Sequence, residues 1–175
     1  MREIPILFSP PMVRALLAGR KTVTRRLSKR WLKVKAGDVL WVREAFQPIF
    51  AEGFEHGGEK YPDWKTGEGY AIRYVATEGR TDWIDGEDNI TDRCKPGIHM
   101  PRWASRITLE ITGVRVERVR SISEEDAIAE GVEPELDWTA TMKYAVLWDK
   151  INGKKYPWAS NPFVWVIEFK RLETR

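Results

Sequence analysis

The chain has 175 residues, of which 42% are hydrophobic and nine are Trp, enough for one domain with a buried core. No apolar run approaches the roughly 18 residues that span a bilayer, and a single cysteine, Cys94, excludes an intramolecular disulfide and suits a reducing compartment. The net charge of +3 hides an asymmetry, because the first 35 residues carry ten basic side chains against one acidic and the remainder carries 19 against 25.

In chain order, the amino terminus Met1–Phe8 lacks the long apolar core and small-residue cleavage site of a signal peptide, so a cytoplasmic protein is expected. Ser9-Pro10-Pro11 followed by Met12–Ala18 predicts a short helix, with proline in its first turn and Gly19 in the left-handed position after it. Gly37-Asp38 and then Val39–Glu44 read as a turn and a strand, and Tyr70–Ala76 as another strand. Alternation is clearest over 107–119, where Gly113 predicts a hairpin, bulge or bend. Ser123-Glu124-Glu125-Asp126 starts a helix with a capping-box-like pattern that stops at Gly131. A second helix is expected from about Thr139 to Asn152, with Tyr144, Leu147, Trp148 and Ile151 as its apolar stripe. The apolar run Phe163–Phe169 predicts a closing, central strand. Segments 47–69 and 78–105 lack periodicity and read as long loops. Short strands in mixed order, bent at glycines, predict an α+β fold with a small curled sheet or barrel and helices on its rim.

The chemistry concentrates at Gly19-Arg20-Lys21-Thr22-Val23-Thr24-Arg25-Arg26. From Arg20 to Lys35 there are eight Lys or Arg and no Asp or Glu, a pattern that favours anionic ligands. A lysine and a hydroxyl inside that run suggest chemistry on the ligand as well as binding.

The Gly19-x-Lys21-x-x-Thr24-x-Arg26 spacing resembles the ASCH-domain family, whose fold is similar to PUA, a small β-barrel of RNA-binding and RNA-modifying proteins. Thr24 stands where many members carry a glutamate. The preceding helix, the Gly37-Asp38-Val39-Leu40 turn-strand and the final Val166-Ile167-Glu168-Phe169 strand also fit. Ile98–Arg106 resembles a larger version of the domain common in phages and prophages. The resemblance implies a single domain over 1–175, with insertions at about 47–69 and 78–105.

One branch of that family, small bacterial proteins that hydrolyse N4-acetylcytidine, carries a Gly-Arg-Lys-Thr-x-Thr segment and a glutamate in a later rim helix. By that resemblance Lys21, Thr24 and Glu130 are the expected catalytic residues. Amide hydrolysis needs a nucleophile, an oxyanion donor and a proton for the leaving nitrogen. Thr24 would attack or position a water, Lys21 would act as base or oxyanion donor, and Glu130 would shuttle a proton to N4. Arg20, Arg25 and Arg26 are expected around the ligand. Trp41 or Trp103 would stack on a pyrimidine, and Arg102 would reach a phosphate or the cytosine O2. No cofactor is implied. His56, His99 and Cys94 show no metal-ligand spacing, so no metal site is expected. The expected partner is a modified cytidine, as nucleoside or in RNA, and not a membrane. The alternatives are a non-catalytic nucleic-acid-binding module and a ribonuclease of the same fold.

Overall fold

The computed structural model describes residues 1–51, 63–84 and 89–173. A five-stranded sheet forms its centre, with strand order β1 (Glu3–Leu7), β3 (Val39–Arg43), β8 (Thr108–Arg118), β9 (Phe163–Leu172) and β2 (Val23–Arg26). β1 runs parallel to β3, and the other pairs are antiparallel. The helices are α1 (Pro10–Leu17), the single turn α2 (Val75–Glu78), α3 (Glu124–Ala129) and α4 (Ala140–Asn152). Two two-stranded antiparallel sheets lie outside the five-stranded one, β4 (Phe46–Phe50) with β5 (Tyr70–Tyr74), and β6 (Trp83–Ile84) with β7 (Ile90–Thr91).

Alternation along β9 explains the layering. Ile167 and Phe169 join a core with Phe8, Val13 and Leu16 on the α1 side, whereas Val164 and Val166 join Ala127, Tyr144 and Trp148 beneath α3 and α4. With both faces covered, β9 is the near-continuous apolar run that the sequence shows. Ser123 caps the first late helix as expected, accepting from Asp126 N, and Thr139 at the expected start of the second caps it by accepting from Met142 N. Glu124 then binds the first amides of α4, at 2.5 Å from Ala140 N and 3.1 Å from Thr141 N, and fixes α3 against α4.

Of the hairpin, bulge or bend expected at Gly113, the structure has a bulge within one long strand, and any Cβ there would lie 2.5 Å from Glu168 Oε2. Other expectations change. The strand expected over 70–76 ends at Tyr74 and turns into α2. Ile151 is exposed, so the inward stripe of α4 ends at Trp148. The segments read as loops carry β4, β6, β7 and a small third core in which Trp64, Ile72 and Tyr74 pack on Phe46, Met100 and Ala104. β1 was not foreseen. Asp38 anchors it by accepting from the backbone and guanidinium of Arg2 at 3.0 and 2.7 Å, and these bonds hold its carboxyl down at about 2. No helix among the described residues is long and apolar enough to cross a membrane.

Candidate active site

Three elements meet at Lys21. After α1 the chain turns through Gly19 at φ 72°, a conformation glycine adopts without strain, and the amides of Arg20 and Lys21 both donate to Ala15 O. Thr22 N donates to Ala129 O at 2.8 Å, docking this turn on the end of α3. β2 follows, paired with β9 alone among the described strands.

An antiparallel strand turns the backbone groups of alternate residues toward each neighbour. On the side of β2 away from β9, two side chains replace the missing strand. Lys21 Nζ donates to Val23 O at 2.8 Å, and Glu130 Oε1 accepts from Arg25 N at 2.7 Å. Lys21 and Glu130 also pair with each other, Nζ to Oε2 at 2.7 Å, and Nζ donates a third bond to Glu130 O at the end of α3. Tyr144 Oη donates to Glu130 Oε1 at 3.2 Å.

The pair is dry, Lys21 being 3% and Glu130 4% exposed. Burial pushes the Lys21 amine down from its ordinary range, and the Glu130 carboxylate opposes the shift. Three acceptors at 2.7–2.8 Å need three N–H donors, so the resting group is an ammonium. Burial, with Glu130 adding to it, pushes the Tyr144 phenol well up. Arg25 bonds Asp126 at 2.5 Å and Glu117 at 3.3 Å, yet its buried Nε and Nη1 have no hydrogen-bond partner among the described residues, and Nη1 lies 3.6 Å from Glu130 Oε1.

Beside this cluster lies a cavity of about 110 Å³ between α1 and α4. Phe8, Met12, Tyr144, Leu147 and Trp148 supply apolar walls, and Lys21, Thr24, Arg26 and Glu130 the polar ones. The Phe8 ring lies 5.4 Å from Lys21 Nζ and 5.0 Å from the Arg26 guanidinium. The Thr24 side chain has no hydrogen-bond partner among the described residues, although it is buried and lines the cavity. An apolar cavity of about 150 Å³ holds a benzene ring, so this smaller one suits an acyl group with the edge of a ring at its mouth.

The structure therefore gathers Lys21, Thr24, Arg25, Arg26 and Glu130 at one cavity. Arg20 sits at the surface beside it, paired with Glu133. Trp41, Arg102 and Trp103 lie elsewhere and do not line it. Trp41 is buried under Arg43 and Arg102, Arg102 pairs with Glu3 at 2.9 Å, and Trp103 donates to Lys65 O. Nor is the basic run one solvated face, since Lys21 and Arg25 are buried and Lys29, Arg30, Lys33 and Lys35 are exposed. Tyr144 was foreseen only as an apolar stripe residue. Its phenol on an inward helix face was the available signal for a polar role, because a buried hydroxyl needs a partner. Among the described residues no three His, Cys, Asp or Glu could hold a metal ion, and His56 lies outside those residues.

Gly131 fits the junction tightly. Its φ is 90°, and a Cβ there would lie 2.8 Å from Ala15 Cβ and 3.3 Å from Lys21 Cβ. Gly131→Ala is expected to lower stability by about 2–4 kcal/mol through left-handed strain and overpacking. Denaturant unfolding checks this, and a loss below about 1 kcal/mol contradicts it.

The molecule is thus an α+β protein with a buried lysine–glutamate pair at the wall of a small cavity. No protein-family model and no curated protein matches the sequence. Solved structures similar to it include the hypothetical protein PH0355 (12% identity, TM-score 0.49, 97% of this chain and 99% of that one). They also include an ASCH domain from Lactobacillus crispatus JV V101 (12% identity, TM-score 0.49, 97% and 79%) and protein EF3133 from Enterococcus faecalis V583 (13% identity, TM-score 0.42, 91% and 65%).

Proposed function

We propose that the cavity is a hydrolytic site for the N4-acyl amide of acetylated cytidine. One observation carries the reading: a buried ammonium–carboxylate pair at 2.7 Å shares a small cavity with a threonine whose side chain has no hydrogen-bond partner among the described residues. The resemblance of Gly19–Arg26 to ASCH amidohydrolases supplies the substrate.

With acyl ligand bound, the Thr24 hydroxyl turns onto Lys21 Nζ; Nζ first hands a proton to Glu130 along their short bond and then takes the Thr24 proton as Oγ1 attacks the acyl carbon. The Lys21 ammonium is thereby restored, and the neighbouring cations Arg25 and Arg26 offset the charge on the carbonyl oxygen. Glu130 then protonates N4, the C–N4 bond breaks, and cytosine leaves with its amino group restored. Water releases the acyl group from Thr24 as acetate by the reverse proton path. Because all three Lys21 N–H bonds are occupied at rest, relay suits this lysine better than direct donation to an oxyanion.

Incubation with N4-acetylcytidine, followed by chromatography, is expected to yield cytidine and acetate in equal amounts. Unchanged substrate with folded protein removes the enzymatic reading. Tight, salt-sensitive RNA binding without turnover would leave a nucleic-acid-binding module, and cleavage of bare RNA would indicate a nuclease.

A further inference from the structure

A second space adjoins the cavity. Met12 and Leu147, which line the cavity, also line an open groove of about 390 Å³ between α1 and α4. The groove carries three cations, Arg14 on α1, Arg20 in the turn after it and Lys143 on α4, against one carboxylate, Glu133. Lys143 and Leu147 are four residues apart and share one face of α4, which leads from the cavity into the groove. A ligand holding its acyl group in the cavity would pass its remaining atoms between Met12 and Leu147 toward these charges.

We propose that the groove binds a phosphate on the ribose of the cavity's ligand, so that the preferred substrate is an acylated cytosine nucleotide and not the bare nucleoside. This rests on the reading of the cavity as a cytosine site. Arg14 has only an uncharged partner among the described residues, Ala76 O at 3.1 Å. Arg20 pairs with Glu133, and Lys143 lies 2.6 Å from Glu135, but both carboxylates are about two-thirds exposed. Such surface pairs contribute little and exchange readily for a doubly charged phosphate, which accepts shorter, stronger bonds.

The test is calorimetric titration of Thr24→Val protein, which keeps acyl ligands intact, with N4-acetylcytidine and with its 5′-monophosphate. The monophosphate is expected to bind about tenfold tighter at low salt. That advantage should shrink between about 50 and about 300 mM salt. Glu133→Gln, which frees Arg20, should widen the preference, and the Arg14→Gln/Lys143→Gln double variant should narrow it. A short RNA containing N4-acetylcytidine separates the two sources of phosphate: tighter binding than the monophosphate with a steeper salt slope indicates a strand, and weaker binding a free nucleotide. Equal affinity for nucleoside and monophosphate overturns the groove while leaving the base site standing. Binding of neither overturns both.

Discussion

Thr24→Val is expected to lower kcat for acetate release by roughly 10³-fold or more while leaving the unfolding free energy within about 1 kcal/mol of the parent. The two halves of this result have separate causes. Catalytically, the substitution removes the oxygen proposed to attack the acyl carbon and nothing else of comparable size. Structurally, the Thr24 side chain loses no hydrogen-bond partner among the described residues, and valine is equally suited to β2, where position 24 lies opposite Ile167. Parallel steady-state chromatography and denaturant melts measure both halves. A variant that keeps its rate would show that the attacking oxygen comes from water positioned elsewhere, and a variant that unfolds would show a structural role for the hydroxyl.

Glu130→Ala acts in the opposite sense and is expected to cost about 3–5 kcal/mol of stability. Truncation leaves the Lys21 ammonium, 3% exposed, without its counter-charge, and strips partners from Arg25 N and Tyr144 Oη at once. For a domain of this size the loss corresponds to a fall in Tm of roughly 6–20 °C. Adding Lys21→Met to Glu130→Ala should recover part of the loss, because an apolar side chain in place of the uncompensated ammonium removes the charge penalty. Recovery stays incomplete, since Val23 O then lacks its donor and Arg25 N its acceptor. A single-variant loss below about 1 kcal/mol would contradict the role assigned to the pair.

Much of the fold was legible where one physical rule dominates a segment. The proline start and Gly19 stop bounded α1, the Ser123 and Thr139 caps located α3 and α4, and the apolar run of β9 marked a strand covered on both faces. β1 was obscured by its shortness and by Pro5, which lies opposite Trp41 in a parallel pairing with no local turn to announce it. The Phe46–Met100–Ala104 core was invisible because its members come from segments without periodicity. Within the site, Lys21 and Thr24 are close in sequence and were read together, whereas Glu130 entered only through family resemblance. Neither composition nor spacing reveals that α3 brings residue 130 to residue 21. How the basic run divides is hidden for a related reason. A strand alternates its side chains and a turn buries one, so eight nearby cations do not form one surface.

The substitution of two side chains for a sixth strand has a consequence for the rim of the sheet. Residues 23–25 are buried, so were Lys21 and Glu130 both replaced by apolar residues, Val23 O and Arg25 N would lose their partners out of reach of water. Once the end of α3 lifts from β2, that edge becomes a template on which a second copy could add its own backbone. Light scattering should therefore accompany any melt or activity measured on variants at this pair.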